Sequence, residues 1–151
     1  MDKLDIVTDE SGNEVVLLPE IIFSNKQNIN WNDVEDYLGK YVGELIEIAE
    51  TRDIIYIGNK FPDEYGGSSY TRKTKGARAK AKANAAQGIR EMVEIATDKV
   101  YRENHKEKHS EDAHNGWFYY VTRFAIPLYN NEKKTGEYNC LFCVSGCKPR
   151  S

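Results

Sequence analysis

Cysteine and long apolar runs are both scarce in this chain of 151 residues, and acid is missing from one stretch of it altogether. The three cysteines all fall between positions 140 and 147, an odd number too tightly clustered for a disulfide framework. No apolar run approaches the ~20 residues that a membrane span needs. No export signal opens the sequence either, so the expected compartment is cytoplasmic, in a bacterium or in its host. The stretch without acid is residues 65–90, YGGSSYTRKTKGARAKAKANAAQGIR, which carries seven Lys/Arg and no Asp or Glu. The chain as a whole has 21 basic and 24 acidic residues, so the remainder is strongly acidic. A block of like charge repels itself, and it is comfortable only when solvated or when an anion meets it.

What is present describes one soluble globular domain over 1–151: 40% hydrophobic and 30% charged residues, enough for a core and too little bias for disorder. Ten tyrosines suit half-buried strands, and they also suit stacking at a binding surface. Leu4–Thr8 and Val15–Leu18 read as short strands around the turn Asp9-Glu10-Ser11-Gly12-Asn13. Asn30 reads as the N-cap of a helix whose apolar stripe is Trp31, Val34, Leu38 and Tyr41, with Gly43 as the stop. Leu45–Ile48 and Ile54–Ile57 read as a hairpin, and Phe61–Ser69 as a loop, because Pro62 and the paired Gly66-Gly67 break regular elements.

From Tyr70 to Gln87 the pattern predicts a basic helix on an alanine seam at Ala77 and Ala81. A second helix is expected on Ile89, Met92, Val93, Ala96 and Val100, followed by a charged loop. Trp117–Tyr129 is the best strand and Tyr138–Val144 its antiparallel return. The expected class is α+β, with N-terminal and central helices packed on a C-terminal antiparallel β-sheet.

The stretches INWNDVEDYLGKYVG, DIIYIGNKFPDEYGGSSYT, KGARAKAKANAAQGI, HSEDAHNGWFYYVTRFAIPLY and GEYN span Asn30 to Tyr138, about 110 of the 151 positions. Along them the chain resembles a domain of the large polyvalent proteins of phages and of conjugative elements in Gram-positive gut bacteria. Related domains are grouped with the barnase-EndoU-colicin-RelE-like nucleases, which implies helices followed by a curved antiparallel sheet and metal-independent cleavage of RNA. The departure is the end, NCLFCVSGCKPRS, where such domains continue with a further strand pair. A sheet truncated there would leave a binder rather than an enzyme.

A metal-independent ribonuclease needs a base for the 2′-hydroxyl, an acid for the leaving oxygen and cations on the phosphorane. His109, with His105 beside it, offers a pKa near ~6.5. Tyr70 or Tyr119 offers a proton, and Arg123, a lone cation in an aromatic-rich strand, offers a phosphate or stacking contact. Arg72, Lys73, Lys75, Arg78, Lys80 and Lys82 are the expected nucleic-acid contacts. Each has an ordinary reading beside it: histidines at a charged helix end, and an arginine whose stem covers apolar surface. Cys140, Cys143 and Cys147 invite a zinc reading with a histidine as fourth ligand, but the spacing is imperfect, because residues 140 and 143 of one strand face opposite ways. Small buried or free thiols are the expected reading. No cofactor and no metal are expected. Two functions follow: RNA cleavage or RNA binding by a mobile-element domain, or, alternatively, a non-catalytic anti-defence inhibitor of a host nuclease. The partner is then RNA or a host defence protein, and no membrane.

Overall fold

The computed structural model describes residues 3–24, 29–67, 76–102, 117–130 and 133–147. They form a mixed α+β fold in which helices pack on a mainly antiparallel sheet, as expected. Strands β1 (Ile6–Thr8) and β2 (Glu14–Leu17) pair antiparallel around the predicted turn. Asp9 builds that turn, its Oδ1 accepting from the N–H of Ser11 and of Asn13, both at 2.9 Å. Gly12 takes φ 87°, a conformation that costs a residue without Cβ nothing.

Helix α1 (Trp31–Leu38) starts where Asn30 caps it, Oδ1 accepting from the N–H of Asn32 at 3.1 Å. Its buried stripe is Trp31, Val34 and Leu38, and a 3₁₀ turn extends the stripe to Tyr41. The hairpin of β3 (Leu45–Glu47) and β4 (Ile54–Tyr56) stands where the β-branched runs put it.

Three expectations are corrected. Phe61–Gly67 is a helix, α2, rather than a loop. Pro62 sits in its first turn, where a missing N–H costs nothing, and Asp63 and Glu64 suit the positive helix end. Gly66 is small for packing: a Cβ there would stand 3.0 Å from Glu35 Cγ of α1.

The described part of the basic helix, α3 (Ala77–Ala85), buries Ala79, Ala81, Ala83 and Ala85, while Ala77 is exposed. Ala79, Ala83 and Ala86 belong to a core cluster shared with α1, α2 and the hairpin; Ala81 and Ala85 belong to a second cluster against the sheet. The helix is therefore sandwiched, and alanine is what two close neighbours leave room for.

The next helix, α4 (Ile89–Glu94), stops before Val100. Thr97–Arg102 is strand β5, entered through Asp98 at φ 58°. Pairing of β5 with its neighbour outweighs the apolar periodicity that had carried the helix onward.

Strand β6 (Trp117–Asn130) is the spine of the sheet. One edge pairs antiparallel with β5 and then parallel with β2 at Val16 and Leu17; the other pairs along its whole length with β7 (Lys133–Cys147). Tyr120, Thr122, Phe124 and Ile126 are buried at two-residue spacing against the helices. Among the described residues no helix is long and apolar enough to cross a membrane.

Candidate nucleic-acid interface

α3 opens at Gly76, φ 75°, with no side-chain cap, and its first turn buries Ala79 while its other side chains face outward. Arg78 and Lys80 are exposed there. Among the described residues, neither is within ion-pairing reach of a carboxylate. Arg90, the last cation of the acid-free stretch, is neutralised instead, 3.3 Å from Glu44 Oε1. Lys82 is half-buried, its ammonium 5.0 Å from the centre of the Tyr65 ring, and burial pushes its pKa below the ordinary lysine value. The cationic feature is thus the exposed end of a buried helix, not a solvated rod with two charged faces.

Of the remaining expected contacts, Arg72, Lys73 and Lys75 lie outside the described residues, as do Tyr70 and the histidines His105 and His109. Arg123 is half-buried in β6 opposite Leu141. Strand alternation puts it with Tyr119 and Val121, on the face away from Tyr120, Thr122 and Phe124, which meet the helices. The sheet therefore separates Arg123 from α3. A cleft shared by Arg123, Arg78 and Lys80 does not form.

Two tyrosines hold α3 and its C-terminal end in place. Tyr41 Oη donates to the carbonyl of Ala86 at 2.6 Å and Tyr65 Oη to that of Lys82 at 2.5 Å. Burial raises both phenols well above the ordinary tyrosine range, so they stay protonated donors. Asn84, fully buried, ties the chain before α1 to the same helix: its Oδ1 accepts from the N–H of Ile22 and Phe23 at 2.8 and 3.1 Å. Its Nδ2 donates to the carbonyls of Phe23 and Lys80 at 3.0 and 2.8 Å. All four hydrogen-bonding positions of that amide are used, so it orients α3 without leaving a polar atom orphaned.

A second polar cluster escaped the sequence reading. Asp53 Oδ2 accepts from Lys99 Nζ at 2.7 Å, Tyr120 Oη at 2.7 Å and Thr51 Oγ1 at 2.9 Å. Burial alone would raise the Asp53 carboxyl, but these donors together hold it below its ordinary value; burial, and then the contact with Asp53, pushes Tyr120 up. Every member has a partner, so the cluster clamps the hairpin turn to β5 and β6. In the sequence it showed only as a polar turn, Thr51-Arg52-Asp53, followed by a lysine 46 residues away.

Burial pushes the Cys140 thiol up to about 11, so it is protonated at neutral pH and a poor metal ligand. Among the described residues no group of three His, Cys, Asp or Glu side chains is placed to hold a metal ion. No family model, curated protein or solved structure matches this chain.

Proposed function

We propose that this protein binds RNA through the exposed first turn of α3, as a non-cleaving domain of a mobile element. One observation carries the reading: Arg78 and Lys80 stand exposed with no carboxylate to neutralise them among the described residues, in a chain with more acid than base. A phosphate backbone supplies the missing counter-charge and releases its own counterions on docking. Rigid support favours the same role, since Asn84, Tyr41 and Tyr65 fix α3 by hydrogen bonds while alanines hold it on both sides. Binding is preferred to cleavage because Arg123, the cation expected to complete a catalytic group, lies across the sheet from α3.

Fluorescence anisotropy of a labelled single-stranded RNA tests it. The native chain should bind, and the Arg78→Ala/Lys80→Ala protein should bind roughly twenty-five-fold more weakly at 0.1 M salt, as two lost phosphate contacts imply. RNA incubated with the protein and a chelator should stay intact. Equal affinity of the two proteins would reject the site, and chelator-resistant cleavage would restore the nuclease reading. Absence of RNA binding, with stoichiometric capture of a defence nuclease, would favour the inhibitor.

A further inference from the structure

Strand β7 runs for 15 residues, and among the described residues its only strand partner is β6. The Leu18 N–H donates to the carbonyl of Ala125 at 2.9 Å, so Ala125 turns its main-chain groups toward β2 and away from β7. Even-numbered β6 residues therefore bond to β7, and the register makes Cys140, Phe142, Val144 and Gly146 their partners. The residues between them, Asn139, Leu141, Cys143, Ser145 and Cys147, direct N–H and C=O groups outward from the sheet.

The two halves of this edge differ. The first carries Lys133, Lys134 and Glu137, all exposed, beside a register shift at Leu128/Tyr129, which are ordinary protections of an edge strand. The second, Asn139–Cys147, spans about 30 Å without a charge or a proline, and Leu141 within it is 64% exposed. An unguarded edge of that length is a template for another strand.

We infer that a second copy of this chain covers it, β7 pairing antiparallel with β7 about a twofold axis near Cys143. Charge selects this occupant and this register. Reversed on itself about Cys143, the neutral half meets the neutral half, with Asn139 opposite Cys147 and Leu141 opposite Ser145. An axis at Lys134 or at Glu137 would set that charge against its own copy, which like charges across a ladder disfavour, and any axis short of Cys143 leaves part of the neutral half without a neutral partner opposite it. The outward groups of five residues per copy supply about ten main-chain hydrogen bonds, an isologous interface of the commonest oligomeric type.

Sedimentation velocity under reducing conditions, from about 1 to about 100 µM, covers the affinities such an interface supports. The native chain should sediment at twice its chain mass. Leu141→Pro removes one outward N–H, and Leu141→Lys restores the charge that the first half of the edge carries. Each acts twice across the axis, so either should raise the dimer Kd by about a hundredfold while leaving the circular dichroism spectrum native. If the proline unfolds the chain, the lysine at this exposed position decides. A native chain that stays monomeric throughout overturns the inference, as does a dimer whose Kd neither folded variant changes.

Discussion

Replacing Asp53 should loosen the hairpin from the sheet, and the size of the effect follows from what the carboxylate holds. Tyr120 is 1% exposed, and its hydroxyl has Asp53 as its acceptor at 2.7 Å. Asp53→Ala strands that donor, which costs about 1–3 kcal/mol for a buried group left unpaired. It also removes the partner of Lys99, in a pair whose side chains are only 29% and 17% exposed, adding about 1 kcal/mol after allowance for solvent. The sum is about 3 kcal/mol, a fall in Tm of roughly 6–12 °C for a chain of this length. Tyr120→Phe should cost about 1–2 kcal/mol, and the double variant less than the two singles together, by about 1 kcal/mol or more. The carboxyl is held below its ordinary value, so its stabilisation is present above the unfolded-state pKa and disappears as pH falls through the folded one. The gap between native and Asp53→Asn proteins should accordingly shrink below about pH 5. Thermal melts of the four proteins of the cycle, and of Asp53→Asn against the native chain across pH, measure all this. Additive single effects, or a gap that ignores acid, would refute the clamp.

Asn84→Ala should cost about 3 kcal/mol in urea unfolding, because four main-chain groups lose the partner that a wholly buried amide gives them, whereas Ala→Ser at exposed Ala77 should be near neutral. Tyr41, Tyr65 and Tyr120 all have raised folded-state pKa values, so their contribution is whole below the unfolded value near 10 and is lost as pH rises beyond it. Stability should therefore fall steeply above about pH 10, and Tyr41→Phe should flatten that fall; an unchanged slope would contradict the buried-donor assignment.

The elements legible in the sequence were those whose local and tertiary preferences agree. Asn30 with the Trp31–Leu38 stripe, the β-branched hairpin and the long aromatic strand are of this kind. Failures came where a neighbour decides. Gly66 reads as a breaker until Glu35 is seen against it, and Val100 reads as helical until β6 is seen beside β5. The site followed the same rule. Sequence located the cations of α3, because charge segregation is a property of the chain itself. It could not show that the helix is buried on both sides, so that only Arg78 and Lys80 of its described cations are fully presented. Nor could it pair Asp53 with Lys99 and Tyr120, which no periodicity links, or tell that Arg123 lies behind the sheet.

RNA affinity measured against salt concentration tests the central claim most directly. Log affinity should fall linearly with log salt, and the slope should become shallower by about 1.4 when Arg78 and Lys80 are both changed to alanine, one increment of about 0.7 for each phosphate lost. A slope equal in the two proteins, or near zero in the native one, would contradict it.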